Sequence, residues 1–338
     1  MRVVQLDRAF GLENLAIAER PEPTAGPDEL VLRIEAASLN YRDLLMVRGR
    51  YNPRQALPLI PCSDGVGEVV DVGGAVAGIE MGDRVAPIFA QSWQHGTPGA
   101  KELHSTLGGP LDGVLAELVA VPAASVVGVP EHLSDVEAAT LPCAALTAWS
   151  ALVTHGRVGP GDAVLTLGTG GVSLFALQFA KLLGARVAIT SSSEEKLARA
   201  IELGADRGIH VPSEPRWGRL ARDWAGGEGV DHVIEVGGAG TLSQSLSAVR
   251  PGGTISLIGV LAGGKEELNL LPILMRNVRV QGVFVGSRAA FAAMNRAIAA
   301  HRLRPVIDRV FPLEAVRDAM ERMALGRHFG KIAIELSR

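Results

Sequence analysis

A glycine-rich turn is the part of this sequence whose residue types and spacing point most directly to chemistry. Gly168, Gly170, Gly171 and Val172 come directly after an apolar, strand-like run and directly before an amphipathic helical pattern. In such a turn the first glycine allows a tight bend, and the second lets a pyrophosphate approach the N–H groups of a helix N-terminus. The third glycine of the pattern is Ser173, which is still small. An ordinary strand–helix turn would look the same, but the position inside a strand–helix–strand series favours a dinucleotide site.

The residues after the next predicted strand bear on which dinucleotide is preferred. A site for NAD places Asp or Glu on the adenosine ribose about 20 residues after the first glycine. Here that place holds Ser191 and Ser192, followed by Lys196, with no acidic residue at the strand end. Hydroxyls and a lysine suit a 2′-phosphate, so the sequence favours NADPH and leaves NADH possible. A helix capping box, Ser191 with Glu194 or Ser192 with Glu195, would also explain the serines, but not the missing acid.

Hydrophobic periodicity divides the chain into three regions that must position these residues. Over residues 1–121, short strand signals broken by turn residues predict an irregular, mostly β region. Over residues 146–284, apolar strands alternate with amphipathic helices, which predicts a parallel sheet covered on both faces. The tail after residue 286 is predicted to hold a helix, a strand, a second helix and a final strand. Residues 90–113 have no period and are predicted to form a long surface loop. The clearest strand predictions are 30–34, 67–73, 163–167, 185–189, 230–235, 254–258, 307–311 and 331–335.

Composition excludes several classes of protein. The chain has 338 residues, which predicts two domains at roughly 150 residues each. Its 33 basic and 36 acidic residues create no field that would attract nucleic acid or an anionic membrane. Two cysteines, Cys62 and Cys143, supply neither a disulfide framework nor a four-thiolate zinc site. With no apolar run of about 18 residues and no signal-peptide pattern, we expect a cytoplasmic protein.

A series of short motifs follows a fixed order along nearly the whole chain. The motifs are Asn40-Tyr41-Arg42-Asp43, PCSDGVGEV at 61–69, Gly82-Asp83-Arg84-Val85, LPCAALTAW at 141–149, the glycine turn, Arg250-Pro251-Gly252-Gly253 and His328-Phe329-Gly330-Lys331-Ile332. Each motif is weak alone. The ordered series resembles the medium-chain dehydrogenase/reductase superfamily, specifically its zinc-free, quinone oxidoreductase-like members.

The resemblance implies an α/β architecture with interleaved domains. A doubly wound Rossmann domain at 145–284 would bind the dinucleotide. It would be inserted into a mostly β, GroES-like catalytic domain made of residues 1–144 and 285–338. The active site would then lie in the cleft between the two domains. The resemblance also implies a homodimer formed through the Rossmann domains, with an edge strand at 278–283.

The resemblance further bears on the metal and the reaction. Zinc-dependent relatives hold a catalytic zinc with cysteine, histidine and cysteine, whose positions correspond to Asn40, Ser63 and Cys143. One thiolate cannot supply the three protein ligands that a catalytic zinc needs, so no metal is expected. Without that Lewis acid, the resemblance points to acceptors that take hydride readily, such as a quinone or an α,β-unsaturated carbonyl compound (an enone). Two alternatives stay open: a metal-free carbonyl reductase or alcohol dehydrogenase, and a dinucleotide-binding sensor or binding module with little turnover.

Three residues are catalytic candidates by resemblance. Asn40 is expected to donate its amide to a substrate oxygen, unless its side chain only fixes its own loop. Tyr51 lies where relatives present a tyrosine to substrate, and a packed loop aromatic is the alternative. Asp43 corresponds to an acid beside the metal of zinc-dependent relatives, and a loop or helix cap is the alternative. Further cofactor contacts implied by the resemblance are Thr147, Gly237, Ile258, Val260, Phe284, Val285 and, near the pyrophosphate, Lys331.

Overall fold

The chain folds as two units, and the first is built from both ends of the sequence. The computed structural model describes residues 1–265 and 267–336. The first unit comprises Met1–Leu146 together with Gly286–Arg338, and the second comprises Thr147–Val285.

Strands and helices follow one another along the whole described chain. The strands are β1 Arg2–Leu6, β2 Leu15–Glu19, β3 Glu29–Ser38, β4 Asp64–Val72, β5 Arg84–Pro87, β6 Leu118–Pro122, β7 Val126–Gly128, β8 Ala163–Thr166, β9 Arg186–Ser191, β10 Arg207–His210, β11 Val230–Glu235, β12 Val249–Leu257, β13 Arg279–Gly282, β14 Ile307–Pro312 and β15 Lys331–Glu335. The α-helices are α1 Tyr41–Val47, α2 Ala100–Leu103, α3 Asp135–Ala138, α4 Leu146–Trp149, α5 Gly171–Leu182, α6 Glu194–Glu202, α7 Trp217–Trp224, α8 Leu242–Ala248, α9 Leu271–Met275, α10 Arg288–His301 and α11 Val316–Ala324. Short 3-10 helices lie at Leu12–Asn14, Ala123–Ser125 and Leu313–Ala315, and π-helical turns lie at Leu141–Ala145 and Ser150–His155.

The larger sheet of the first unit joins the two ends of the chain. In the described part of the molecule its order is β14-β15-β3-β4-β5-β7, with β6 also paired to β3. The C-terminal strand β15 therefore lies directly beside β3, and the two run antiparallel. Apolar residues from both ends of the chain, such as Leu32 and Ile334, share one buried cluster. This burial is what holds the C-terminal segment on the N-terminal one.

The second unit is a parallel sheet with helical connections. Its strand order across the described residues is β10-β9-β8-β11-β12-β13, and every neighbouring pair is parallel. The central strand β8 is buried along its whole length, as a strand covered on both faces must be. The order reverses between β8 and β11, and ligands of open α/β sheets bind at such a point, beyond the carboxyl ends of the strands. The predicted α/β fold, a Rossmann-like unit with a mostly β unit, is confirmed.

Two local features differ from simple expectation. Residues 90–113 do not lie on the surface throughout, because Ala90, Gln91, Trp93 and Leu107 are buried and the segment includes α2. The continuous helical stretch Asp135–His155 is long and apolar enough to span a membrane by composition, with a mean hydropathy of 1.4. However, 72% of that window is buried inside the protein, which is the situation of a core helix.

Candidate active site

Three strand ends meet at one edge of the larger sheet. Strand β3 ends at Ser38, which lies opposite Asp64, the first residue of β4, and opposite Ala333 of β15. Because both neighbours run antiparallel to β3, the loop after β3 meets the starts of β4 and β15. This edge gathers six residues that we call the Asn40 cluster, namely Asn40, Asp43, Ser63, Asp64, Cys143 and Lys331.

The Asn40 side chain is directed into this cluster rather than back to its own loop. Lys331 Nζ donates to Asn40 Oδ1 at 2.7 Å and to the Leu39 carbonyl at 2.7 Å. Asn40 Nδ2 lies 3.5 Å from Ser63 Oγ. The main-chain N–H of Asp43 donates to the Asn40 main-chain carbonyl, so the amide side chain is not needed as a helix cap. The side chain is therefore held from both ends by groups distant in sequence.

Asp43 caps the N-terminus of α1, which is the role that the sequence left open as the alternative to a catalytic one. It is the third residue of α1, and its Oδ2 accepts from Asn40 N at 2.7 Å. Its side chain is fully buried, and its Oδ1 lies 4.0 Å from the Arg42 guanidinium. Burial raises the pKa of this carboxyl from 3.8 to about 6, although Arg42 and the Asn40 N–H oppose the rise.

Ser63, Asp64 and Cys143 form the other side of the cluster. Ser63 Oγ donates to Asp64 Oδ1 at 2.7 Å, and Cys143 N donates to Asp64 Oδ2 at 3.0 Å. Burial raises the pKa of Asp64, and the nearby Lys331 ammonium opposes this. Burial and Asp64 together raise the pKa of the Cys143 thiol, which therefore stays protonated at neutral pH.

Tyr51 lies apart from these contacts and is 45% exposed. The Arg42 guanidinium stacks 4.9 Å from its ring centroid and 5.0 Å from that of Phe89. Arg42 also donates to Leu107 O at 2.9 Å and to Thr106 Oγ1 at 3.0 Å. The Tyr51 ring thus packs against the Arg42 guanidinium, and hydrogen bonds to the loop before β6 hold that guanidinium in place.

The glycine turn of the second unit has the geometry that anion binding at a helix N-terminus requires. Gly168 has φ +72°, a conformation that other residues rarely adopt, and an added Cβ would meet no atom within 4 Å. Gly170 is the N-cap of α5 and no side chain caps that helix among the described residues. Ser173 is buried and its Oγ donates to Leu167 O at 2.6 Å, which ties the helix to the preceding strand. Gly171 and Val172 form the first turn of α5.

The serines at the end of β9 and directly after it make different contacts. The N-cap of α6 is Ser193, whose Oγ accepts from Lys196 N at 3.3 Å. The structure has neither of the two capping-box pairings that were the alternative explanation of these serines, because the helix begins one or two residues later. Ser191 is buried and its Oγ accepts from Ser193 N at 3.1 Å, whereas Ser192 is exposed. Lys196 is half-buried in the first turn of α6.

The loop after β11 is organised by a buried carboxylate. Glu235 is fully buried and accepts from Gly237 N at 2.8 Å, Gly238 N at 3.0 Å and Thr241 Oγ1 at 2.7 Å, as well as from Ser245 Oγ. A Cβ on Gly237 would collide with the Thr241 side chain. Close packing therefore already explains the glycine at this position, and its contact with a cofactor stays a prediction.

The remaining predicted cofactor residues differ in exposure. Val260 is 51% exposed, Ile258 and Phe284 are half-buried, and Thr147 is buried at the start of the second unit. Val285 is buried with φ +48°, which is strained for a β-branched residue and typical of functional sites. Their contact with a cofactor stays a prediction.

Asp64 lies in one of these sites but was not singled out by the sequence as a site residue, although it directly follows Ser63 at the start of a strand. His210 ends β10, and its Nε2 lies 3.2 Å from Ser192 O while its Nδ1 lies 2.7 Å from Ser213 Oγ. The pairing of Ser191 with His210 in the sheet places this imidazole beside the serine loop.

Among residues 1–265 and 267–336, no group of three or more His, Cys, Asp or Glu side chains is arranged to hold a metal ion. The three positions that correspond to zinc ligands carry an amide, a hydroxyl and a protonated thiol. The amide oxygen of Asn40 already accepts from an ammonium group. This donor set does not fit a catalytic zinc.

Comparisons with known proteins agree with this architecture. Residues 26–131 match the alcohol dehydrogenase GroES-like domain family, and residues 171–300 match the zinc-binding dehydrogenase family. A zinc-type alcohol dehydrogenase-like protein of Schizosaccharomyces pombe is 42% identical over 99% of both chains. An acryloyl-coenzyme A reductase of Metallosphaera sedula is 31% identical over 93% of both chains.

Solved structures give the same result. An NAD-dependent alcohol dehydrogenase superposes with a TM-score of 0.91 at 34% identity, covering 100% of both chains. The quinone oxidoreductase from Coxiella burnetii superposes with a TM-score of 0.82 at 26% identity, covering 100% of this chain and 99% of that one. The two unit folds, the family matches and full-length relatives together identify the chain as an oxidoreductase of the medium-chain dehydrogenase/reductase superfamily, whose members use NAD(P) dinucleotides and act on small molecules.

Proposed function

We propose that this protein is an NAD(P)H-dependent reductase of quinones or α,β-unsaturated carbonyl compounds that works without zinc. The observation that carries the proposal is the Asn40 cluster. An amide, a hydroxyl and a protonated thiol occupy the positions that hold zinc ligands in zinc-dependent relatives, and a buried ammonium lies next to them. The names of two compared proteins, a quinone oxidoreductase and an acryloyl-coenzyme A reductase, refer to acceptors of these two classes, a quinone and an α,β-unsaturated carbonyl compound.

The second unit supplies residues that fit a dinucleotide. Gly168 provides the tight bend, and the N-terminus of α5 at Gly170, Gly171 and Val172 offers main-chain N–H groups to a pyrophosphate. When bound, the reduced dinucleotide supplies a hydride. The strained Val285 and the half-buried Phe284 are the residues we assign to the nicotinamide half.

The first unit supplies the groups that act on the acceptor. Asn40 is half-buried, and its Nδ2 is a donor for a carbonyl or quinone oxygen. Hydride addition to an acceptor carbon moves an electron pair onto that oxygen, and an N–H donor stabilises the developing negative charge. A proton must then be added to complete the reduction. The exposed Tyr51 phenol is our candidate for that hydrogen bond or proton.

The choice of NADPH is supported by the residues around the start of α6. The nearest acidic side chain after β9 is Glu194, which is 83% exposed and lies 3.9 Å from His210 Nδ1. No carboxylate ends β9 itself, while Ser192 is exposed and Lys196 lies in the first turn of α6. A 2′-phosphate would gain from these hydroxyl and ammonium groups.

The acceptor is tested by cofactor oxidation with a panel of quinones, enones, ketones and aldehydes, with and without a chelator. We expect turnover of quinones or enones that the chelator does not reduce, and a loss of about 100-fold in Asn40→Ala. Turnover of simple ketones that the chelator abolishes would refute the zinc-free site. Metal-independent turnover of ketones alone would favour the carbonyl reductase, and binding without turnover of any acceptor would favour the binding module.

The cofactor site is tested by calorimetric titration. Gly170→Leu should abolish dinucleotide binding without unfolding the protein, because φ −80° is an ordinary conformation for leucine. Gly159→Leu is the control, since a Cβ on this glycine would meet no atom within 4 Å. NADPH should bind more tightly than NADH, and Lys196→Ala should reduce that preference whereas Lys181→Ala should not. Retained binding in Gly170→Leu, or equal affinities for the two dinucleotides, would contradict these assignments.

We also propose a homodimer formed through the edge of the second unit's sheet. Strand β13 ends the sheet among the described residues. Beside it in the sequence, Leu270, Leu274 and Met275 are 66%, 70% and 75% exposed, which is unusual for large apolar side chains in a monomer. Light scattering should give twice the 35.4 kDa chain mass. Leu274→Asp should halve that mass. Leu325→Asp, at a leucine of the first unit that is 61% exposed, should leave it unchanged, and a wild-type monomer would refute the proposal.

A further inference from the structure

The Lys331 ammonium is buried in the first unit and has a specific set of partners. The residue is 3% exposed, and its Nζ donates to Leu39 O and Asn40 Oδ1, both at 2.7 Å. The carboxyls of Asp43 and Asp64 lie near it: burial raises the pKa of each, and the Lys331 charge opposes that rise. A buried charge needs such acceptors and counter-charges, and here they are provided by three different segments of the chain.

This ammonium determines which way the Asn40 amide points. An ammonium has only donors, so the atom of Asn40 that faces it must be the carbonyl oxygen. The amino group is then directed to Ser63 Oγ at 3.5 Å. Because Ser63 donates its own proton to Asp64, its lone pairs are open to an N–H donor. The amide is thus oriented by a cation at one end and by a hydroxyl–carboxylate pair at the other.

The same contact makes Asn40 a better donor. A cation bonded to an amide oxygen withdraws electrons from the N–H groups, and bonds in such a chain strengthen one another. Lys331 is too deeply buried to reach an acceptor molecule, whereas Asn40 is half-buried. We propose that Lys331 is a positioning residue that orients and polarises the Asn40 amide toward the substrate oxygen. This inference rests on the proposed function in one respect, the assignment of Asn40 as the donor to that oxygen.

The kinetic test is a double-mutant cycle with steady-state rates and calorimetric NADPH affinities. Lys331→Met should lower kcat by about 10-fold or more and leave the Kd for NADPH within about twofold, since the lysine acts on the transition state through Asn40. Lys331→Arg should restore most of kcat. The double variant Lys331→Met/Asn40→Ala should be no slower than Asn40→Ala alone, because the lysine then has no amide to act on. Lys181→Met, which removes a surface lysine of the other unit, is the control and should leave kcat unchanged.

Two outcomes of this cycle would overturn the proposal. Losses that multiply in the double variant would mean that the lysine does not act through Asn40. A higher Kd for NADPH in Lys331→Met, with kcat unchanged, would instead mean that Lys331 is the pyrophosphate contact that the family resemblance implies. If Lys331→Met does not fold, Lys331→Gln keeps a neutral donor and removes only the charge, so it tests the polarisation, and an unchanged kcat would refute that part of the proposal.

A spectroscopic test separates this proposal from the proposed function. The side-chain amide signal of Asn40 in a ¹⁵N–¹H spectrum, assigned by its loss in Asn40→Ala, requires neither cofactor nor acceptor. It should move in Lys331→Met and return toward its wild-type position in Lys331→Arg. A signal that does not move would refute the orientation by Lys331, whatever the enzyme reduces. A signal that moves in a protein without reductase activity would sustain the orientation and refute only the proposed function.

Discussion

The carboxyl of Asp43 gives the sharpest test of the energetics of this site. It is fully buried, and burial outweighs the Arg42 guanidinium and the Asn40 N–H, so its pKa rises from 3.8 to about 6 in the folded protein. A raised pKa means that the folded state prefers the protonated carboxyl more strongly than the unfolded chain does. The stabilisation that the protonated Asp43 carboxyl gives to the folded state is therefore fully present below about pH 4, and it is lost as the pH rises through 6.

The size of this contribution follows from the two pKa values. The interval from 3.8 to about 6 corresponds to about 3 kcal/mol. In Asp43→Asn the side chain cannot titrate. The difference in unfolding free energy between variant and wild type should therefore change by about 3 kcal/mol, in favour of the variant, between pH 3.5 and 7.5. Any fixed effect of replacing an oxygen by an amino group is the same at both pH values and cancels.

The assay is urea unfolding at a series of pH values, followed by circular dichroism, for wild type, Asp43→Asn and the exposed control Asp7→Asn. A ¹³C titration of the Asp43 carboxyl identifies the group and should have its midpoint near pH 6. A difference between variant and wild type that is constant with pH would refute the reasoning. If the variant instead becomes less stable relative to wild type as the pH rises, the Arg42 guanidinium outweighs burial in setting the pKa of Asp43.

Three other substitutions test the local structure through urea unfolding. Glu235→Ala should lower the free energy of unfolding by about 3 kcal/mol or more, because it removes the acceptor of three buried donors, on Gly237, Gly238 and Ser245. A loss below about 1 kcal/mol would contradict this role. Arg302 ends α10 with φ +48°, so Arg302→Gly should stabilise the protein by about 0.5–1 kcal/mol, and a decrease would contradict the strain. In Gly73→Ala the new Cβ would collide with the Gly26 carbonyl, whereas in the control Gly74→Ala it meets nothing within 4 Å. Gly73→Ala should therefore unfold at a clearly lower urea concentration than Gly74→Ala. Equal unfolding midpoints would refute this packing.

Local sequence patterns predicted those features that depend on short-range physics. The strand prediction 230–235 coincides with β11, and the helix predicted directly after the glycine turn is α5, which begins at Gly171. Both patterns reflect which face of the element is buried, and the period of the buried residues determines whether the segment is a helix or a strand. The N-cap of α6 was misplaced because consecutive serines are chemically equivalent caps, and only the bend of the chain selects Ser193.

The candidate site could be predicted only in part because its contacts are not local. Asn40 was singled out as a single residue, but its bond to Lys331 joins positions 291 residues apart. No periodicity carries that information, since it depends on β15 pairing with β3. The burial of residues such as Trp93 and Leu107 in the 90–113 segment was missed for the same reason.

The placement of β15 also sets an order of events during synthesis. The second unit is complete in the chain at Val285, whereas Lys331 is made later and must then pair its strand with β3, synthesised near the start. At about 5–20 residues per second the interval between these two residues lasts about 2 to 9 s, long enough for an independent unit to fold. A nascent chain therefore passes through a stage at which every residue of the second unit has been made and the Asn40 amide still has no lysine. The contact between Lys331 and Asn40 can therefore form only after residue 331 has been added, 291 positions after its partner.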